Sequence, residues 1–382
     1  MNDKIKDIST VVVFMIIVIG LFIVNILKPP TKISMSERRP LAQFPEVTWE
    51  SITRKKVKPT DKDTFMESFD KYTLDQFVGR DKLRELKANI AFNLLLQKDN
   101  NKIYMVDGQV AKYWNNLNEG ALKSAATKIN KIYNAHLKNM NVYYSIIPDK
   151  NYYIAKQNGY PSVDYNKFVG TIKANTNKNM KYIDLFGVLN VEDYYATDLH
   201  WRQEKIIKVA EKYAKEMGFS ISGEYTENVK EPFYGTYYGQ SALPIPGEKL
   251  IYLTNDVLNN AKVSQIDAKT FEFVDGELYK EEYFNNVDPY DLFLEGTQKP
   301  LFIIENEEAT TDKELIVYRD SFGSSLVPLL VEGYKKITVV DVRYMNTTLI
   351  DSNNLIDYKD GQDVLFLYST EVLNNSSTLL VM

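Results

Sequence analysis

The sequence predicts an α/β fold: a parallel sheet flanked by helices, preceded by one transmembrane helix. Three observations predict it. Strand-like apolar runs alternate with helix-period stretches from residue 120 onward. The C-terminal part holds a clear strand–helix–strand unit, the usual way of joining parallel strands. Residues 9–27, STVVVFMIIVIGLFIVNIL, run without a charge.

Taken in order, that apolar run spans roughly 28 Å as a helix, about one hydrocarbon core. No small-x-small cleavage site follows it; NILKPPTK does, so an uncleaved anchor over residues 1–28 is expected rather than a signal peptide. Lys4 and Lys6 precede the span and Lys28, Lys32, Arg38 and Arg39 follow it. The positive-inside count therefore leans against an outward-facing globular part. Residues 29–62, rich in proline and charge, read as an extended linker. Phe65, Phe69 and Tyr72, then Leu83, Leu86, Ile90 and Leu94, recur at helical spacing with a break near Gly79, which predicts helices with one buried face.

Leu122, Ala125, Ile129, Ile132 and Tyr133 mark a helix, NVYYSII (141–147) a buried strand and MKYIDLF (180–186) another. Ile206 to Met217 form an amphipathic helix that Gly218 ends. ELIVY (314–318), a helix through SSLVPLLVEGY, KITVVDV (336–342) and DVLFLY (363–368) complete the alternation. Residues 63–382 are expected to form the catalytic domain, with an irregular insertion at about 220–312 that contains short strands such as KLIYL.

Composition excludes several functions. With 44% hydrophobic and 25% charged residues, most of the chain should fold. A net charge of −5 leaves no domain-wide basic surface for nucleic acid. Without cysteine there is no disulfide, thiol nucleophile or thiolate metal site. The 27 tyrosines suit a carbohydrate groove or simple packing at the core edge.

Only two histidines are present. His200, in YYATDLHWRQ, stands two residues after Asp198, just before the amphipathic helix. In an extended segment or turn these two side chains share a face, so Asp198 can hold one ring nitrogen and leave the other as a base. A capping aspartate beside an incidental histidine is the plainer alternative. The nucleophile candidate is Ser321 in LIVYRDSFGSSLVPLL, at a strand end followed by a helix start, where open α/β sheets place their sites. Amides near Ser321–Gly323, Phe322 and Gly323 among them, are expected to hold a developing oxyanion; alternatively Ser321 or Asp320 only caps the helix. Ser324 and Ser325 fall inside the helix. His136 sits at the edge of an apolar stripe, as a structural histidine does. His200 and Glu204 at i, i+4 make a poor zinc pair without cysteine or further histidine, so neither metal nor cofactor is expected.

TDLHW together with YRDSFGSSL resembles the DHHW-type proteins and the related alginate O-acetyltransferase group of the SGNH-hydrolase-like superfamily. SERRPLAQFPE, FDKYTLDQFVGRD, FYGTYYGQSALP and VVDVRY add to the likeness, which covers most of the chain beyond the anchor. In that family the Asp-x-His precedes the serine, a circular permutation of the usual SGNH order. The resemblance implies Ser321 as nucleophile, His200 as base and Asp198 as its orienting partner. This chain has Asp-Leu-His-Trp where the family name expects Asp-His-His-Trp, so any role of the first histidine is not carried over.

What the resemblance implies in function is a membrane-anchored, extracytoplasmic O-acyltransferase, with acetyl the expected group and a cell-surface glycan the acceptor. The acyl donor would be delivered by a polytopic membrane-bound O-acyltransferase. Tyr237, Tyr238 and Gln240 in GTYYGQS are candidates for the groove or the oxyanion hole, and Arg319 and Arg343 for contact with an acidic polymer. An esterase with the same triad, or a silent glycan-binding or assembly subunit, are the alternatives.

Overall fold

The computed structural model describes residues 3–56, 58, 61–296 and 299–382. The chain forms two compact units, residues 1–100 with 239–244, and residues 101–238 with 245–382. The units divide near residue 100, and the helices after residue 63 lie in the first of them.

In the first unit a 25-residue helix, Asp3–Leu27, contains the uncharged run. It is long and apolar enough to cross a membrane, and Pro29 and Pro30 follow it. The segment expected as an extended linker is partly ordered. Ile33–Ser34 pairs with Arg39–Pro40, and Trp49–Thr53 is a helix capped by Thr48. Arg39 is held bidentately by Asp75, at 2.8 and 2.6 Å. Two helices follow, Phe65–Asp75 and Arg80–Asn89, separated at Gly79, whose φ of 72° suits glycine. Phe65, Phe69 and Tyr72 are half-buried, as their spacing implies. Leu83, Leu86, Ile90 and Leu94 are exposed instead, a correction to the single buried face.

The second unit is built on an eight-stranded sheet. In chain order its strands are β1 (Asn141–Ile147), β2 (Lys181–Tyr182), β3 (Lys262–Ile266), β4 (Phe273–Asp275), β5 (Leu301–Glu305), β6 (Glu314–Arg319), β7 (Lys336–Val340) and β8 (Asp363–Ser369). The spatial order is β4-β3-β5-β7-β6-β8-β1-β2. Strands β7, β6, β8, β1 and β2 are parallel, and β5, β3 and β4 extend the sheet antiparallel. The sheet is therefore mixed, and the antiparallel edge comes from the insertion that reads as irregular. β3 and β4 are short and of mixed polarity, which hides them from a periodicity argument.

Helices Glu119–His136 and Ile207–Met217 bury their apolar stripes in two separate clusters of the core, as expected where both faces of a sheet are covered. Gly218 ends the second helix in the left-handed region. β1, β6 and β8 are buried almost throughout, which is why they read as unbroken apolar runs. Two of the side chains discussed next, Lys150 and Ser321, follow the C-terminal ends of β1 and β6.

Candidate active site

β6 ends at Arg319, and the chain turns through Asp320 and Ser321 into the short helix Phe322–Leu326. Asp320 fixes this turn. Its carboxylate accepts from the Phe322 amide at 3.1 Å and from the Ser369 amide, at the end of β8, at 2.7 Å. The Gly323 amide donates to the Asp320 carbonyl at 3.0 Å. Gly323 has to be glycine because a Cβ there would come within 2.6 Å of the Arg319 side chain.

Of the amides expected to hold an oxyanion, those of Phe322 and Gly323 are already engaged with Asp320. The Ser321 amide is the one in the turn that makes no hydrogen bond among the described residues. Ser321 stands at the helix N-cap position, yet its side chain makes no capping bond. Its Oγ lies 2.8 Å from His200 Nε2.

His200 belongs to a segment of irregular backbone held as a bridge, with Tyr194 paired to Trp201 and the Tyr195 amide donating to the His200 carbonyl at 3.1 Å. Asp198 is fully buried and His200 is nearly so. Asp198 Oδ1 lies 2.6 Å from His200 Nδ1 and accepts the His200 amide at 2.9 Å. Asp198 Oδ2 accepts the Thr236 amide at 2.6 Å. With Asp198 acting as acceptor to Nδ1, as it does to the two amides, Nε2 would present its lone pair to the Ser321 hydroxyl.

Side chains from distant parts of the chain hold this segment. The Glu248 carboxylate accepts from the amides of Ala196 and Thr197 and from the Thr197 hydroxyl, at 2.6 to 2.7 Å. Gly235 approaches so closely that a Cβ would come within 2.4 Å of Asp198 Cβ. The Tyr290 ring stacks on the His200 ring, centroids 3.9 Å apart and planes 5° apart, while its hydroxyl meets Ser325 Oγ at 2.7 Å. Trp201 is fully buried, and its indole N–H donates to the Phe322 carbonyl at 3.0 Å and to Ser325 Oγ at 2.9 Å. The tryptophan after the histidine thus ties the histidine segment to the serine helix.

Lys150, just after β1, is buried and donates to the carbonyls of Val110 and Ala196 at 2.8 and 3.0 Å. Burial pushes its ammonium down to about 7, against the opposing pull of the Asp198 and Glu248 charges.

A cleft of about 480 Å³ opens beside Ser321, between Leu199, Arg343, Tyr344 and Glu371. Arg319 does not reach it. That side chain is 1% exposed and pairs with Asp341 at 3.3 Å, which corrects its expected contact with a polymer. Arg343 lines the cleft but is clamped by the same carboxylate at 2.9 and 2.7 Å. The Tyr237 amide bonds to the Thr197 carbonyl at 2.9 Å and its ring faces Lys150, 5.6 Å from the ammonium. The Tyr238 amide donates to the same carbonyl at 3.2 Å. Gln240 is part of the first unit. His136 stacks on Tyr358 and pairs with Asp351 at 3.2 Å, and Glu204 pairs with Arg202 at 2.7 Å.

Glu248, Tyr290 and Lys150 escape sequence reasoning, since their partners are backbone atoms or rings far away in the chain. Gly235 leaves a signal: a glycine inside an aromatic-rich run marks close backbone approach.

No protein-family model matches the sequence, and no curated protein matches it either. Solved structures do. A DHHW family protein from Eubacterium siraeum aligns over 74% of this chain and 95% of its own, with 19% identity and a TM-score of 0.59. Bacillus cereus PatB1 carrying a sulfonyl adduct aligns over 73% of this chain and 100% of its own, with 19% identity and a TM-score of 0.56. A second PatB1 structure covers 72% and 97%, with 20% identity and a TM-score of 0.56. At these identities the likeness is one of fold, and the chain has the fold of a DHHW family protein.

Proposed function

We propose that this chain is a membrane-anchored O-acyltransferase that moves an acyl group, acetyl in the first instance, onto a cell-surface polysaccharide through an acyl-Ser321 intermediate. The observation that carries the proposal is the line of contacts from Ser321 Oγ to His200 Nε2 and from Nδ1 to Asp198, at 2.8 and 2.6 Å beside an open cleft. The fold likeness to PatB1, whose structure carries a sulfonyl adduct, is in keeping with this, because sulfonyl reagents capture activated nucleophiles.

His200 Nε2 takes the Ser321 proton as Oγ attacks the donor carbonyl, and the Ser321 amide donates to the developing oxyanion. The donor's leaving group departs with that proton. A sugar hydroxyl then gives its proton to His200 and attacks the acyl-serine, and His200 returns the proton to Ser321 Oγ. Asp198 does not leave its charged form; it holds the imidazole and stabilises the imidazolium. The choice of transfer over hydrolysis rests on the motif resemblance, as do the extracytoplasmic placement and a polytopic acyl-delivering partner.

The test uses the full chain in detergent with p-nitrophenyl acetate, with and without a glycan oligomer. Ser321→Ala and His200→Ala are each expected to lower acetyl release by about 10³-fold or more, and wild type is expected to place acetyl on the oligomer. Release to water alone would make the protein an esterase. Activity indifferent to both substitutions would remove the triad altogether.

A further inference from the structure

The first unit leaves a large apolar surface uncovered. Leu83, Leu86, Ile90 and Leu94 are between 40% and 73% exposed. At the α-helical angle per residue Leu83, Leu86 and Ile90 fall on one side and Arg84 and Ala88 mark the more buried side, and the chain continues as a π-helix over Ile90–Leu94 with Ala91 buried and Leu94 exposed. Leu74, Phe77, Leu95 and Leu96 enlarge the exposed apolar area. Water-soluble surfaces rarely carry such a contiguous patch without a partner.

What covers it follows from where this unit is tied. The Val78 amide donates to Asn25 Oδ1 at 2.8 Å, and Asn25 lies inside the apolar helix, less than one turn before Lys28. Lys28 Nζ donates to the Gln76 carbonyl at 3.2 Å, and the Thr31 amide to Gln76 Oε1 at 2.8 Å. The turn that starts the leucine-bearing helix is therefore pinned at the level where the span leaves the hydrocarbon. An apolar crevice of about 690 Å³ also opens between the span, at Val18, Leu21 and Phe22, and Phe44, Phe69 and Phe77. One of its walls is the span itself.

We infer that the Phe65–Leu96 helices lie in the membrane interface with the leucine face among the lipid chains, so that the first unit seats the protein on the bilayer as well as crossing it. This rests on the reading of Asp3–Leu27 as a membrane span. The partner is the lipid surface: an amphipathic helix with an apolar face, Glu85 and Asn89 turned away from it and Lys82 and Lys87 along its borders, where lysines reach the headgroups, is the form such segments take.

The chain has no cysteine, so single cysteines can be placed cleanly. In full-length protein reconstituted into vesicles of phosphatidylcholine and phosphatidylglycerol, an environment-sensitive fluorophore would be attached in turn to Leu86→Cys, Leu94→Cys, Lys82→Cys and Ile17→Cys, with spin-labelled lipid as quencher. Positions 86 and 94 are expected to show blue-shifted emission and quenching several-fold stronger than position 82, close to that of position 17. Quenching at 17 with 86 and 94 no different from 82 would overturn the interfacial seat and leave the anchor intact. Blue-shifted emission at 86 and 94 without lipid quenching would overturn it in favour of a protein partner. Loss of quenching at 17 as well would remove the anchor and the seat together.

Discussion

The two segments that meet at the site are held by different means. Ser321 rides on β6, and the turn after it is fixed by backbone: sheet pairing on both sides, and an aspartate that ties the turn to the end of β8. His200 lies on a segment without regular structure. Side chains hold it in place: Glu248 behind Ala196 and Thr197, Tyr290 against the ring, Lys150 on the Ala196 carbonyl and Trp201 across to the serine helix. The position of Ser321 is thus a property of the sheet, whereas that of His200 depends on a few remote side chains. On the proposed mechanism, substitutions outside Ser321, His200 and Asp198 should hurt activity mainly through His200.

The sharpest break of the comparison is Asp198→Asn. It preserves shape but replaces an acceptor by an amide that can turn an N–H toward Nδ1 and favour the wrong tautomer. Loss of kcat by about 10⁴-fold is expected, with far-ultraviolet dichroism unchanged. A loss below tenfold would mean that Asp198 does not orient the ring.

Glu248→Gln comes next. An amide cannot accept from three donors as the carboxylate does, so the Ala196–Thr197 backbone should shift. A displacement of about 1 Å at a catalytic group costs on the order of 10²-fold. The matched change on the serine side is Glu314→Gln at the start of β6, where the carboxylate meets Lys359 and Gln362. That variant should keep wild-type kcat/KM. Equal losses from the two would erase the proposed asymmetry.

Tyr290 separates two contributions within the histidine side. Tyr290→Phe keeps the stacked ring and loses the hydroxyl bond to Ser325, one neutral hydrogen bond worth about 1 kcal/mol, or about fivefold. Tyr290→Ala removes both and should cost more than Tyr290→Phe. If the two variants lost equal activity, the hydroxyl would be the part that matters.

The same asymmetry explains what could be read from the sequence. Ser321 was legible because a strand, a turn and a helix start follow one another locally, and His200 because histidine is rare and Asp198 is two residues away. Strands β1, β6 and β8 declare themselves as buried apolar runs. Glu248, Tyr290 and Lys150 lie roughly fifty to ninety residues from the segment they hold, and nothing near them in the chain records the partner. The leucines at 83–94 were read as core because periodicity reports an apolar face and not what covers it. The antiparallel edge escaped for a related reason: β4 is fully exposed and β3 only partly buried, so neither is written as a hydrophobic run. Which of the helix-start amides stay open was not legible either, because Asp320 takes two of them through bonds that the sequence does not record.

The smallest effect concerns Lys150, and it tests stability rather than catalysis. Its ammonium is pushed from 10.5 down to about 7 by burial. In the unfolded chain the lysine keeps its proton up to its ordinary value. Between about pH 7 and 10.5 the unfolded state therefore binds more protons than the native state, and stability from this group rises with pH across that window. Lys150→Met removes the ionisation, so wild-type stability minus variant stability should increase from pH 7 toward pH 10 in denaturant unfolding. Activity should not follow that trend through this group, because the neutral amine still has two N–H donors for the carbonyls of Val110 and Ala196. A flat difference would mean that Asp198 and Glu248 keep the lysine charged in the folded protein. The Ala196 carbonyl would then be held by an ion, and the histidine segment would depend on charge as well as on hydrogen bonds.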